Sequence, residues 1–159
     1  MADITAAVTL GRAGETDTAR LLLGELWERI GPVGDALHRC TLAHYLADLY
    51  DDPAEALVWD VRALDAAKAL TDDRAQRYHD SLRVAGFFPS LHLNLADDFR
   101  RLGSFTVARD HLTAARDQEH TLGNDEYGAL IRQAISEVEE AIERRSTTRR
   151  ATAPGPGGR

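Results

Sequence analysis

An alanine recurs at the same point of three helical hairpins, and this recurrence constrains the fold more than any other feature of the chain. The three stretches align on Ala19, Ala56 and Ala108. A turn residue lies five positions before each alanine: Gly14, Asp51 and Gly103. Apolar residues lie nine positions before and seven positions after: Leu10, Ala47, Phe99, then Leu26, Ala63 and Ala115. Small and large apolar residues on both sides of a short turn predict two antiparallel helices, which bury their faces only by stacking on neighbours.

Nothing in the chain predicts a β-sheet. The sequence lacks the period-two alternation of β-branched residues that marks a strand, and only 6% of its 159 residues are aromatic. We therefore expect an all-α protein with one helical domain over residues 1–145. Residues 146–159 are rich in Thr, Arg, Pro and Gly, a composition that predicts a disordered basic tail.

The helix boundaries are predicted from capping residues. Asp52 is expected to cap a helix whose first residue is Pro53, since proline fits the first helical position. Residues 71–88 lengthen the second interval between the aligned alanines, and they form either a separate helix or a bent extension of the next one. Asn124 is expected to cap a final helix running to about residue 145. Its apolar stripe comprises Leu130, Ile131, Ala134, Ile135, Val138 and Ile142.

The charge of the chain argues against nucleic acid as the main partner. The net charge is −7, and residues 146–159 carry three arginines and no acid, so the body is more acidic still. A surface of that sign repels phosphate backbones. Arg144, Arg145, Arg149 and Arg150 could touch an anion, but a solvated helix end with a tail is the favoured interpretation.

A cytoplasmic location is the default expectation. Cys40 is the only cysteine, so an internal disulfide is excluded and a reducing compartment suits the chain. The first residues show no secretory signal pattern, and no apolar run has the length of a membrane span. Arginine greatly outnumbers lysine, which together with abundant alanine is typical of a bacterial protein with a GC-rich genome.

The third hairpin carries a characteristic set of residues: Leu95, Ala96, Phe99, Gly103, Ala108, Leu112 and Ala115. At these positions it resembles the tetratricopeptide repeat. The lengthened repeat and the run from Phe87 to Asp98 also resemble actinobacterial proteins of this type. The first two hairpins repeat the pattern more loosely. The consensus tryptophan is replaced by Asp3, Cys40 and His92. Two further residues depart from the consensus: His44 takes the place of a small residue, and Asp60 takes the place of a large apolar one.

The resemblance implies a right-handed stack of antiparallel hairpins with a C-terminal capping helix. In such a stack the first helix of each hairpin lines a concave groove, where a peptide or helix of a partner protein lies. The groove positions that carry over to this chain are His38, Thr41, Tyr45, Asp48, Ser90, Leu93, Asn94, Asp97, Arg100 and Arg101. The expected function is that of a non-enzymatic scaffold or regulator that binds another protein.

Two other functions remain open. His79 and His92 flank an irregular segment, so a small-ligand sensor with a pocket near residues 78–92 is one alternative. Trp27 and Trp59 lie on second helices, and an exposed tryptophan would favour a structural homo-oligomer.

Neither a metal site nor a catalytic site is expected. Cys40 and His44 lie one turn apart, but His38 points away from them, and a structural zinc site needs four convergent ligands. The neighbouring carboxylates Asp97 and Asp98 diverge on a helix, so they cannot oppose each other across a substrate. We therefore predict no catalytic residue, no metal and no cofactor.

Overall fold

A computed structural model describes residues 1–77 and 84–153, and every regular element in these ranges is helical. The prediction of an all-α fold is confirmed for this part of the chain. No helix within it combines the length and apolarity that crossing a bilayer requires. The chain divides into two compact units, Met1–Leu70 and Thr71–Ala153.

The first unit consists of two helical hairpins. Its helices are α1 (Ala2–Arg12), α2 (Thr16–Ile30), α3 (Ala36–Ala47) and α4 (Pro53–Lys68). Helix α1 packs on α2, and α3 packs on α4. The hairpins meet where α2 contacts α3, and the two first helices, α1 and α3, also touch.

The second unit contains one hairpin and a final helix. Its elements are α5 (Asp72–Gln76), a 3-10 turn (Val84–Phe87), α6 (Phe88–Arg101), α7 (Phe105–Asp117), a second 3-10 turn (Glu119–Thr121) and α8 (Glu126–Glu143). Helices α6, α7 and α8 all contact one another. The lengthened segment thus begins as the short helix α5, while residues 78–83 lie outside the described residues.

Two of the predicted helix starts can be compared with the structure. Asp52 caps α4 as expected, because its Oδ1 accepts a hydrogen bond from the backbone N–H of Ala54 at 2.8 Å, and Pro53 is the first helical residue. The cap of α8 is Asp125 rather than Asn124. Its Oδ1 accepts from the backbone N–H of Gly128 at 2.8 Å. A carboxylate there also suits the positive end of the helix dipole.

The repeated alanines are buried at hairpin contacts. Ala19 and Ala108 are completely buried and Ala56 is 5% exposed. The turns before the first and third alanine contain Gly14 and Gly103, with φ of 92° and 80°. Side chains rarely adopt such angles, which explains why glycine stands at both positions. Each hairpin therefore combines a small residue at the helix contact with a turn that suits a short connection.

Candidate partner-binding face

The predicted groove residues of the first unit lie along α3 and at its C-terminal end. His38, Thr41, Tyr45 and Asp48 are all partly exposed. Residues of α1 and of the N-terminus contact two of them: the terminal amine lies 3.4 Å from His38 Nε2, and the Arg12 guanidinium lies over the Tyr45 ring at 5.7 Å. The face is polar and partly exposed, as a partner-binding face would be. The partner role of these four residues stays a prediction.

The predicted groove residues of the second unit all lie on α6, but they do not share one exposed face. Asn94 and Arg101 are partly exposed. Leu93 is 3% exposed and belongs to the apolar core that α6 shares with α7 and α8, so its expected exposure needs correction. Ser90 is also buried, and its hydroxyl donates to the Phe87 carbonyl at 3.0 Å.

Arg100 departs most from the expectation of an exposed groove residue, because it is completely buried. Its Nε and Nη2 donate to Oδ1 of Asp97 at 3.0 and 2.6 Å. Its Nη1 donates to the backbone carbonyls of Ser146 at 2.6 Å and Thr148 at 2.9 Å. A guanidinium has five N–H donors in a rigid fork, and here four hydrogen bonds satisfy most of them. Arg100 therefore holds a second stretch of backbone against α6.

The segment held by Arg100 is the start of the predicted disordered tail. The structure instead places residues 146–153 against α6 and α8, while residues 154–159 lie outside the described residues. Arg150 donates to Oε2 of Glu137 on α8 at 2.7 Å and lies 3.5 Å from Oδ1 of Asp97. The Thr152 hydroxyl donates to the same Glu137 oxygen at 2.5 Å. We call residues 146–153 the docked segment, and Asp97, Arg100 and Glu137 the docking site.

The pKa of Glu137 lies below its ordinary value, and contacts with the docked segment contribute to this shift. The hydrogen bond from Thr152 lowers this pKa most, burial opposes the shift, and hydrogen bonds from Gln133 and Arg150 add to the lowering. Each of these hydrogen bonds favours the carboxylate over the neutral acid. The ionised form of Glu137 is therefore the form that binds the docked segment.

A turn after α8 returns the chain to α6. Arg145 has a φ of 51°, and it is the one residue other than glycine with a positive φ in the described ranges. The Ser146 backbone N–H donates to the Ala141 carbonyl at 2.8 Å, which closes the helix end in the manner of a Schellman motif. A left-handed conformation costs a residue with a side chain about 1–2 kcal/mol. The Arg145 guanidinium lies 4.8 Å from the Phe105 ring centroid, a contact that offsets part of this cost.

In the first unit, the two consensus departures noted at His44 and Asp60 form a single pair. His44 Nδ1 on α3 lies 3.8 Å from Asp60 Oδ1 on α4, and Asp60 is 2% exposed. Burial alone would lower the pKa of His44, but the hydrogen bond that His44 donates to Asp60 and the charges of Asp48 and Asp60 raise it above the ordinary value. His44 thus stands in place of a small residue and Asp60 in place of a large apolar one, and each provides the partner that the other needs.

We expect the Asp60→Asn substitution to lower the free energy of unfolding by about 1–3 kcal/mol near pH 6, because His44 then loses its buried anion. The folded pKa of His44 lies above 6.5, so the pair stabilises the fold fully below that pH and loses this contribution as the pH rises through the folded pKa. The penalty should therefore shrink by about pH 9. Urea unfolding followed by circular dichroism at both pH values measures it.

Asp65→Asn is the matched control, since the Asp65 side chain is 73% exposed on the same helix. Its effect should stay below about 0.5 kcal/mol at either pH. An Asp60→Asn penalty that does not change with pH would show that the pair is not an ion pair.

Cys40 is not placed to act as a nucleophile or as part of a metal site. Burial, with a smaller contribution from the Asp60 charge, raises its pKa to about 12. The thiolate is the reactive and metal-binding form, and at neutral pH this side chain is a thiol. Among residues 1–77 and 84–153, no group of three His, Cys, Asp or Glu side chains could hold a metal ion.

Aromatic rings contact His92 in the described part of the chain. Phe88 stacks on His92, His92 Nδ1 lies 2.9 Å from His111 Nδ1, and His111 stacks on Phe99. His79, the other histidine of the predicted ligand pocket, lies outside the described residues. The small-ligand alternative stays a prediction.

The two tryptophans contact each other. Trp27 and Trp59 meet edge to face with centroids 5.2 Å apart, and the Arg62 guanidinium lies 4.4 Å from the Trp59 centroid. Trp27 is only 8% exposed, so it is not the exposed tryptophan that self-association would need. Val58 and Val61 on the same helix as Trp59 are about half exposed, as is Leu130 on α8, and the homo-oligomer alternative stays a prediction.

An open groove between α1 and α2 was not predicted from the sequence. Its apolar floor includes Leu22 and Leu26, and its volume is about 700 Å³. Charged residues lie at its rim: Asp3, Glu25, Glu28 and Arg29. Leu22 is partly exposed there although it belongs to the apolar stripe of α2, because helical periodicity does not tell which part of a stripe a neighbour covers.

Comparison with models of known protein families, with curated proteins and with solved structures finds no match to this chain.

Proposed function

We propose that the protein is a non-enzymatic scaffold or regulator that binds an extended peptide segment of another protein, on a fold of tetratricopeptide-like hairpins. The first helices of the two hairpins in the first unit, α1 and α3, contact each other, and in the second unit the first helix α6 contacts the final helix α8. The aligned alanines are buried and two of the three turns use left-handed glycine. These features agree with a stack whose first helices form the binding face.

One observation carries the proposal: the buried Arg100 donates to two carbonyls of a non-helical backbone segment. Backbone carbonyls are present in every peptide, so this contact supplies affinity without requiring a particular sequence. Arg150 of the segment donates to Glu137 at 2.7 Å and lies 3.5 Å from Asp97, the carboxylate that Arg100 also binds. A site that binds backbone and one cationic side chain suits an extended peptide better than a sugar, a nucleotide or a helix.

The test uses the full chain carrying Arg150→Ala, which weakens the docked segment and leaves α6 and α8 unchanged. A fluorescent peptide with the sequence of residues 146–153, blocked at both ends, is added and its anisotropy is measured. We expect saturable binding with a Kd of about 1–100 μM, corresponding to a few charged hydrogen bonds in a preformed site.

Glu137→Gln added to the same variant should weaken binding at least tenfold, on the order of one charged hydrogen bond. Glu140→Gln is the matched control, because its side chain is 62% exposed on the same helix. Absence of saturable binding to the Arg150→Ala protein, with its helix content unchanged, would refute the proposed function at this site.

A further inference from the structure

The docked segment contacts the docking site with every second residue. Ser146 and Thr148 offer carbonyls to Arg100, while Arg150 and Thr152 present side chains to Glu137. The segment bends at Thr148, and the Ala153 backbone N–H donates to the Arg150 carbonyl at 3.2 Å, so Arg150 and Thr152 lie in one turn. The contacts therefore specify an arginine followed two positions later by a hydroxyl residue, both presented by a turn.

We propose, on the basis of the peptide-binding function above, that the partner is a non-helical segment of another protein with this same arginine-x-threonine or arginine-x-serine chemistry. The docked segment is a tethered copy of that ligand, and it occupies the docking site until a partner competes for it. The structure thus shows both the site and an example of what it recognises.

The charges of the docking site favour this partner over others. Asp97 and Glu137 attract a cation, and Arg150 reaches both while its side chain is only 11% exposed. Glu137 also accepts a hydrogen bond from Thr152, so one carboxylate binds both the arginine and the hydroxyl residue two positions later. An acidic peptide would leave Glu137 without a cation and would place a second negative charge beside it, whereas Asp97 would keep Arg100.

The contacts also allow exchange. They are hydrogen bonds and ion pairs, Thr147 and Thr148 are exposed, and Ala153 is the one buried apolar residue of the docked segment. Arg145 starts the segment in a left-handed conformation that release would relax. A short tether gives an effective concentration in the millimolar range, so a partner must bind well or be abundant to compete.

The experiment compares the wild-type full chain with two full-length variants that weaken docking in different ways. Arg150→Ala with Thr152→Val removes the side-chain contacts, and Thr152→Asp places a negative charge beside Glu137. The probe is the blocked fluorescent peptide of residues 146–153. With a tether near 1 mM and a Kd near 10 μM, we expect both variants to bind the probe about 10- to 100-fold more tightly than the wild type. Arg144→Ala, an exposed charge loss just before the turn, should match the wild type.

The outcomes separate this inference from the proposed function. Equal, saturable binding to the wild type and both variants would leave a peptide site in place but would show that the docked segment does not compete for it. A probe carrying Arg150→Ala that binds as well as the original would overturn the arginine-x-threonine recognition. A mass that rises with concentration for the wild type but not for the Arg150→Ala variant would replace the foreign partner with a second copy of the chain.

Discussion

The Arg100→Met substitution is expected to lower the free energy of unfolding by about 3–5 kcal/mol, because the buried Asp97 carboxylate loses both hydrogen bonds from Arg100 and keeps only the longer contact with Arg150. Methionine fills a similar volume, so the loss reflects charge and hydrogen bonding more than packing. The substitution also removes both bonds that hold the Ser146 and Thr148 carbonyls. Urea unfolding monitored by circular dichroism at pH 7 measures the change.

Arg109→Met is the control for this prediction, since Arg109 is exposed on the neighbouring helix α7. Its effect should remain within about 0.5 kcal/mol. A double-mutant cycle with Asp97→Asn measures the interaction energy between Arg100 and Asp97. The double variant should lose less stability than the sum of the two single losses, because it no longer contains a buried carboxylate that lacks Arg100. Additive losses, or a change at Arg100 no larger than at Arg109, would contradict the pairing.

The prediction of exposure at Arg100 failed because burial there depends on residues far away in the chain. Helical spacing puts Asp97 and Arg100 on adjacent turns of α6, but it could not indicate that they pair or that residues 146–153 cover them. A stretch of Thr, Arg and Ala followed by Pro and Gly has the composition of a disordered tail. One signal was available in hindsight: Arg150 and Thr152 offer side-chain donors that suit the carboxylates of an acidic body.

Local physics explains what the sequence did predict. The hairpin turns follow from Gly14 and Gly103, and the start of α4 follows from Asp52 and Pro53, because each acts within a few residues. The departures at His44 and Asp60 were also visible in the sequence. That they compensate each other across two helices required the packing of α3 on α4.

The apolar stripe of α8 illustrates the same limit. Periodicity assigned both Leu130 and Ile135 to the buried face, yet Leu130 is 57% exposed and Ile135 is completely buried. A helical stripe is wider than the contact that a single neighbour makes. Near Ile135 the stripe meets α6 and α7 together, in a core that includes Leu93, Ala108, Leu112, Ala115, Val138 and Ile142.

Ile135→Ala is therefore expected to lower the free energy of unfolding by about 2–5 kcal/mol, because the close-packed neighbours cannot collapse into the cavity. Leu130→Ala removes a side chain of the same size on the same helix, but it should cost less than about 0.5 kcal/mol because that side chain is 57% exposed. Urea unfolding of both variants compares them directly. Similar losses at the two positions would mean that α8 does not pack on α6 and α7 through the Ile135 face, and the docking site between α6 and α8 would then lack its support.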